Sequence, residues 1–234
     1  VEESDEVFRN KGEEAYRKYQ REKQHHLLEQ VVAFPFIKKL LSINEINLTN
    51  PPIEVILLSR NDPDTGLRVM HSIQAHQLGI TRALFLQGRD PHKYINALSI
   101  DLFLSANEVD VKQAIRAGYP AGQVLNSHIE DDFLNDPELR IALDFDGVII
   151  DDEAEKVYKD SGITEFHKHE QAHVTEAHKP GPLTNFLKKL STVQIQEENF
   201  AETAGNYKPK LRISIVTARN APSHERVINT MREW

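Results

Sequence analysis

The chain has 234 residues, 39% of them hydrophobic, which suffices to bury one sizeable core, alone or with a small appended unit. Its formal net charge of −8 argues against a nucleic-acid polymer as partner but leaves small anionic substrates open if a metal ion supplies positive charge. Because the chain lacks cysteine, which fits a reducing compartment, and has no apolar run near the roughly 20 residues that span a bilayer, we predict a cytoplasmic protein that does not associate with membranes.

Residues 1–50 are predicted to form an N-terminal helical arm. The sequence between positions 5 and 41 is charged and favours helix, and its apolar residues recur at the spacing of one helical face. These residues are Phe8, Tyr16, Tyr19, Leu27, Leu28, Val31 and Val32. Pro35 is predicted to break or kink this helix, because proline lacks the backbone N–H that a helix interior needs.

Beyond residue 50, short apolar runs alternate with amphipathic stretches. The runs predict buried strands at 53–58, 82–86, 101–104, 123–125, 140–143 and 211–216, and helices are predicted at 65–78, 92–98 and 109–117. Such alternation indicates an α/β fold with a mainly parallel, Rossmann-like sheet, built here from residues 51–150 and 211–234. Because ligands bind outside the carboxyl ends of parallel strands, we expect functional residues directly after each strand.

The strongest such position is the sequence Asp144-Phe145-Asp146-Gly147-Val148, which follows the apolar strand 140–143. Alternation places both carboxylates on one side of the extended chain, and Gly147 allows the backbone to turn close to a ligand. Two carboxylates held so close repel each other, and a hard cation such as magnesium would lower that cost. A pair of Asp residues that only cap the next turn is the alternative interpretation.

These five residues resemble the first motif of the haloacid dehalogenase superfamily. The resemblance implies that Asp144 is a nucleophile that forms an aspartyl-phosphate and that Asp146 is the general acid and base. It also implies that Mg²⁺ is bound by the Asp144 side chain and the Asp146 backbone carbonyl, where it offsets charge on the phosphoryl oxygens. Within the motif, Phe145 and Gly147 are candidate substrate-binding residues.

The strand at 211–216 leads into Thr217-Ala218-Arg219, which resembles the second motif of the same superfamily. In that motif a Ser or Thr donates a hydrogen bond to the transferring phosphoryl group, so Thr217 is the third catalytic candidate. Ala218 and Arg219 are candidate substrate-binding residues. A β-branched Thr at a strand end is common by itself, and the assignment therefore depends on its order after the first motif.

The chain as a whole resembles the cytosolic 5'-nucleotidases of type I, the AMP-preferring group, and their bacterial relatives. The segments that carry the resemblance are 33–35, 58–69, 101–106, 152–155, 166–170, 181–183 and 216–219. The resemblance implies magnesium-dependent hydrolysis of nucleoside 5'-monophosphates. One departure is the nucleophile motif, which often reads Asp-Gly-Asp in the type I enzymes, whereas Phe145 and Gly147 give the general superfamily form here.

Residues 151–210 lie between the two motifs, where the superfamily inserts a cap over the active site. This segment contains the histidines His167, His169, His173 and His178, which could form a transition-metal site. Their spacing does not converge on one ligand set, so a solvated, partly helical cap is the favoured interpretation. Lys179 and Gly181 are the candidate substrate contacts within it.

The superfamily also uses a later Lys and an acidic pair, which the resemblance places beyond Trp234. Three functions stay open: a nucleotidase, a phosphotransferase that passes the phosphoryl group to a nucleoside, and a non-catalytic nucleotide-binding module. A homo-oligomer is compatible with the sequence, which leaves the oligomeric state, the base and sugar preference and the regulation open.

The two halves of the chain share a short pattern. Residues 56–63 line up with residues 215–222, with Ile, Arg, Asn and Pro at identical offsets. The match predicts a duplicated strand-loop-helix unit whose two strands lie in one parallel sheet. In this alignment the counterpart of Thr217 is Leu58, and Ser59 lies one position away.

Overall fold

A computed structural model describes residues 2–126 and 136–234, which form a mixture of α-helices and short parallel strand pairs. Within these ranges the chain divides into two compact units, residues 2–114 with 122–126 and 136–137, and residues 115–121 with 138–234. The predicted α/β class is confirmed at this level. The Rossmann-like sheet of the haloacid dehalogenase type stays a prediction.

The N-terminal segment contains two helices rather than one. Helix α1 spans Glu2–Glu22 with a kink at Gly12 (φ 79°), and α2 spans Ala33–Ser42. The single predicted helix was therefore wrong over 23–32. Pro35 does not break α2, because it lies in the first turn, where its missing N–H has no helical partner to lose.

The first unit contains two strand pairs. Strand β1 (Ile56–Ser59) pairs in parallel with β2 (Arg82–Phe85), and α3 (Pro63–Ala75) connects them. Strand β3 (Phe103–Ser105) pairs with β4 (Ala121–Gln123), and α4 (Glu108–Arg116) lies between them in the chain.

The predicted helix at 92–98 is a short 3₁₀ turn at Pro91–Tyr94, because no continuous ladder of helical hydrogen bonds follows it. Another 3₁₀ turn, Ile43–Ile46, follows α2.

The second unit is organised around one parallel strand pair. Strand β5 (Leu139–Asp144) pairs with β6 (Leu211–Val216), in a register that places Asp144 opposite Val216. Three helices accompany the pair: α5 (Glu153–Ala172, kinked at Gly162), α6 (Thr184–Thr203) and α7 (His224–Glu233). A buried apolar cluster consists of Leu143, Phe145, Ile149, Ile150, Leu187 and Val227.

The predicted cap segment supplies α5 and α6, which belong to the same compact unit as β5 and β6. Helix α6 is tied to the start of β6 by Glu197, a fully buried carboxylate. Its oxygens accept hydrogen bonds from the backbone N–H groups of Lys210 (2.9 Å) and Leu211 (3.0 Å). Helix α6 therefore helps to place β6, and a covering role for residues 151–210 stays a prediction.

One parallel sheet containing both repeated strands stays a prediction, because the two strands belong to different compact units. In the described residues, strand β1 pairs with β2, and β6 pairs with β5. Each strand finds its hydrogen-bonding partner inside its own unit. Similar local sequence has thus produced a strand, a turn and a helix in each unit.

None of the described helices is both long enough and apolar enough to cross a lipid bilayer.

Candidate active site

The turn after β5 exposes the predicted nucleophile. Asp144 ends the strand with an exposed side chain, and its Oδ1 accepts a hydrogen bond from the Phe145 N–H at 2.8 Å. Gly147 adopts a positive φ of 72°, as its expected role in the turn requires. The Ile150 N–H then donates to the Phe145 carbonyl at 3.0 Å and closes the turn. One Asp144 oxygen is fixed by the backbone, and the other has no such restraint.

The two predicted motifs meet at Asp146 and Thr217. Because Asp144 lies opposite Val216, the residues that follow β5 and β6 emerge side by side. The Thr217 hydroxyl donates to Asp146 Oδ2 at 3.1 Å and accepts a hydrogen bond from the Arg219 N–H at 3.2 Å. The structure thus brings Thr217 and Arg219 to Asp146, although Asp146 and Thr217 are 71 positions apart in the sequence.

Arg219 holds Asp146 from the other side. Its Nη2 donates to Asp146 Oδ1 at 2.6 Å and its Nε donates to the same oxygen at 3.0 Å, while Nη1 forms an ion pair with Glu170. The side chain is only 2% exposed. Its guanidinium lies 5.4 Å from the Phe145 ring centroid and 5.2 Å from that of Phe166. Arg219 was expected to bind substrate, but its donors are directed to protein carboxylates.

Glu170 is the centre of a buried ionic network. Its Oε1 accepts from Arg226 at 2.9 Å, and its Oε2 lies 3.0 Å from His178 Nε2. Burial raises the pKa of Glu170, but the hydrogen bond with His178 and the charges of Arg219 and Arg226 outweigh it and lower the pKa to about 2. Glu170 is therefore a carboxylate at neutral pH. Two cationic side chains flank it.

Sequence reasoning did not identify Glu170 or Arg226 as members of this site. Glu170 lies in the segment 166–170 that carries part of the family resemblance, and that was its only signal. Arg226 lies on α7 and gave no signal, since an Arg on a polar helix is usually solvated.

The histidines of the predicted cap have separate partners. His167 Nδ1 lies 2.6 Å from the Ser223 hydroxyl, and the rings of His169 and His173 are 4.5 Å apart. His178 is buried, so the interpretation of a solvated cap does not hold at this residue. No group of three or more His, Asp or Glu side chains within residues 2–126 and 136–234 is arranged to hold a metal ion. The structure does not favour the transition-metal interpretation.

The remaining residues predicted to contact the substrate include both exposed and buried side chains. Ala218 is exposed, and Lys179 is 74% exposed with its Nζ 2.8 Å from Glu153 Oε2. That contact lowers the pKa of Glu153 and raises the pKa of Lys179. Phe145 is fully buried in the apolar cluster, where its ring meets the His178 ring edge-on at 5.4 Å.

Gly181 has a packing role. An added Cβ there would overlap the Ile150 carbonyl, and the Gly181 N–H donates to the Ile149 carbonyl at 2.9 Å. Two predicted substrate contacts, Phe145 and Gly181, therefore support the turn after β5 from within the protein.

The oxygen donors near Asp144 suit a magnesium ion. Mg²⁺ in proteins keeps several waters and is usually bound through one or two carboxylates together with substrate phosphate oxygens. The exposed carboxylate of Asp144 and the backbone carbonyl of Asp146 supply donors of that kind. The Asp146 side chain is occupied by Thr217 and Arg219 and is not needed for such a site.

Comparison with known proteins defines the class. The family model described as 5'-nucleotidase matches residues 1–234, and the chain belongs to this family of phosphomonoester hydrolases. Among individual relatives, human cytosolic 5'-nucleotidase 1B is 29% identical over 234 residues, which cover 97% of this chain and 38% of that protein. The chain thus spans less than half the length of this relative. No solved structure matched the chain.

Proposed function

We propose that this protein is a magnesium-dependent 5'-nucleotidase that converts nucleoside 5'-monophosphates to nucleoside and phosphate through an aspartyl-phosphate on Asp144. The observation that carries the proposal is the hydrogen bond from Thr217 to Asp146, which joins the ends of β5 and β6 beside the exposed Asp144. Family membership supports the substrate class. The reaction and its metal dependence are proposals.

In the first step, Asp144 attacks the phosphorus of the substrate. Its Oδ1 is held by the Phe145 N–H, so we assign the attack to Oδ2. A bond forms between Oδ2 and phosphorus, the bond from phosphorus to the 5'-oxygen breaks, and Asp146 in its protonated form gives its proton to that oxygen. The nucleoside leaves with this proton.

In the second step, Asp146 acts as a base. Water attacks phosphorus, its proton passes to the Asp146 carboxylate, and the bond between Asp144 and phosphorus breaks to release phosphate. The Thr217 hydroxyl lies between the two strand ends and can donate to a phosphoryl oxygen in place of Asp146. A magnesium ion held by Asp144 and the Asp146 carbonyl would offset the charge of the phosphoryl oxygens.

Exposure suggests how the remaining candidates act on substrate. Ala218 lies in the turn after β6, where its backbone N–H can approach a phosphate closely. The Gly147 N–H donates to the Asp151 carbonyl at 3.3 Å, so Gly147 would act by leaving space for the substrate beside the backbone. Lys179 has one exposed carboxylate partner, Glu153, and could exchange it for a substrate anion. The name of the human relative describes a cytosolic enzyme and supports a cytoplasmic location.

The direct test is phosphate release from a panel of nucleoside 5'-monophosphates by protein expressed from its complete reading frame. We expect release that requires Mg²⁺ and is abolished by EDTA, with free nucleoside as the second product. Added nucleoside that becomes phosphorylated in place of water would indicate a phosphotransferase. Nucleotide binding without any release would indicate a non-catalytic module and contradict the proposal.

A further inference from the structure

We propose, on the basis of the function proposed above, that Arg219 and Glu170 are positioning residues for Asp146. Arg219 sets the orientation of the Asp146 carboxylate for proton transfer, and the buried carboxylate of Glu170 holds Arg219 in place. Neither residue contacts the substrate.

The first argument is how Arg219 uses its donors. Nε and Nη2 both bind Asp146, and Nη1 binds Glu170, so the three nitrogens of the guanidinium have partners within the protein. The side chain is 2% exposed and lies against the rings of Phe145 and Phe166. A planar fork held in this way fixes the direction of the carboxylate that it binds.

The second argument is that Glu170 is itself firmly anchored. It is fully buried in its side chain, and Arg226 and His178 bind its two oxygens at 2.9 and 3.0 Å. Arg226 is held in turn, because its Nε donates to the Glu176 carbonyl at 2.9 Å. His178 Nδ1 lies 2.8 Å from the Thr230 hydroxyl. Glu170 therefore presents a fixed negative charge to Arg219.

The third argument is the cost of the alternative, in which Arg219 binds the substrate phosphate. Arg219 would have to leave both Asp146 and Glu170, and Glu170 would lose one of the cations that compensate its burial. Removing one member of a buried ionic group is strongly unfavourable. The arrangement favours a fixed arginine.

Positioning matters because Asp146 must reach the leaving oxygen. Proton transfer needs heavy atoms within roughly 2.6–3.2 Å of each other, and a displacement of about 1 Å can cost on the order of 100-fold in rate. The Asp146 side chain is 24% exposed and contacts Thr217 and Arg219. Thr217 is expected to turn toward the phosphoryl group during the reaction, which leaves Arg219 as the orienting contact.

The test compares substrates whose leaving groups differ in their need for a proton. A nucleoside 5'-monophosphate releases a basic alkoxide that must be protonated, whereas p-nitrophenyl phosphate releases a phenolate that leaves without a proton. In Arg219→Lys the charge is kept but the fork is lost. For the nucleotide, we expect kcat to fall about 100-fold while KM changes less than about threefold. For p-nitrophenyl phosphate, the rate of the pre-steady-state burst of nitrophenolate should stay within about threefold of wild type.

Glu170→Asp is the second variant, since it keeps the charge and shortens the side chain. It should show the same selective loss on the nucleotide, reduced to about 10-fold, because Arg219 is shifted rather than replaced. Arg60→Lys is the matched control. Arg60 also binds two carboxylates, Asp90 and Asp110, and its replacement should leave both substrates unaffected.

Several results would overturn the inference. If the nucleotide KM increases by about an order of magnitude or more while kcat is unchanged, Arg219 binds the substrate directly. Equal loss on both substrates, unchanged activity, or loss of cooperative folding in both variants would assign these residues a purely structural or electrostatic role. A wild-type protein inactive on both substrates would instead overturn the proposed function itself, before any variant is measured.

Discussion

Arg60 and Arg219 follow strands β1 and β6 at the same offset in the two matched sequences, and each binds two carboxylates. Arg60 pairs with Asp90 at 3.0 Å and with Asp110, and its side chain is 36% exposed. Arg219 pairs with Asp146 and Glu170 and is 2% exposed. Ion pairs near solvent contribute little to stability, whereas a buried group is costly to break. The same local pattern therefore gives a partly exposed arginine in the first unit and, in the second unit, a buried arginine whose ion pairs are costly to break.

The turns that precede the two arginines are also alike. The hydroxyls of Ser59 and Thr217 each accept a hydrogen bond from the N–H two residues later, both at 3.2 Å. By this contact Ser59 corresponds to Thr217, whereas Leu58 is the counterpart of Thr217 in the sequence alignment. The arginine follows the hydroxyl residue by one position in the first unit (Ser59 and Arg60) and by two positions in the second (Thr217 and Arg219). The two matched sequences therefore form similar turns with different spacing, and their origin by duplication stays a prediction.

The largest expected difference between the units is catalytic. Asp144→Asn keeps size but removes the attacking charge, and phosphate release should fall by several orders of magnitude, as expected when a covalent nucleophile is lost. Asp90→Asn, which removes a carboxylate after β2 in the first unit, should leave release within about threefold of wild type. The measurement is phosphate release with acid-quench trapping of the phosphorylated protein. Retention of a tenth of the activity in Asp144→Asn would end the aspartyl-phosphate proposal.

The next difference is in stability. Glu170→Gln leaves the buried Arg219 and Arg226 without their shared carboxylate, and we expect the free energy of unfolding to fall by about 3–5 kcal/mol. Asp90→Asn removes a carboxylate that is 33% exposed from the more exposed Arg60 and should cost about 1 kcal/mol. Urea unfolding of both variants gives the comparison. Equal losses would show that burial does not separate the two clusters.

The free energy of unfolding should depend on pH through the protonation of Glu170. Its pKa is lowered from 4.5 to about 2 in the folded protein, so its stabilising contribution is complete above pH 4.5 and is lost as pH falls toward 2. The contribution lost corresponds to roughly 3 kcal/mol. Unfolding free energies of wild type and Glu170→Gln, measured from pH 6 downward, should converge in this window. Parallel curves for the two proteins would contradict the assignment.

The smallest effect concerns Gly181. Gly181→Ala would push a methyl group against the Ile150 carbonyl and displace the turn after β5, at an expected cost of about 1–3 kcal/mol. Gly79→Ala is the control in the first unit, since an added Cβ there meets no atom within 4 Å, and stability should change by less than about 0.5 kcal/mol. Thermal unfolding is sufficient to compare them. If Gly181→Ala is as stable as wild type, the glycine is not needed for packing.

Much of the strand pattern could be predicted because it is local. The run 211–216 was predicted with the bounds that β6 has, and β2 begins at the predicted Arg82. The ends of helices were harder to predict than the strands. The helix predicted across 23–32 was wrong because the helical spacing of apolar residues continued past the point where the chain turns. Asp146 and Thr217 lie together, as expected for residues that follow neighbouring parallel strands, and their catalytic roles stay a prediction.

The sequence by itself determined which residues are candidates for the chemistry: Asp144 and Asp146 after one apolar strand, Thr217 after another, and a glycine that permits the turn after Asp146. These features depend on alternation and turn preferences, which act over a few residues. Only the tertiary structure decided which charges are buried. Glu170 meets Arg219 and Arg226 across 49 and 56 positions of sequence, and nothing in the polar surface pattern of α5 distinguishes that carboxylate from its solvated neighbours. Burial depends on the packing of α5, α7 and the end of β6, because partners so distant in sequence become neighbours only when the unit folds.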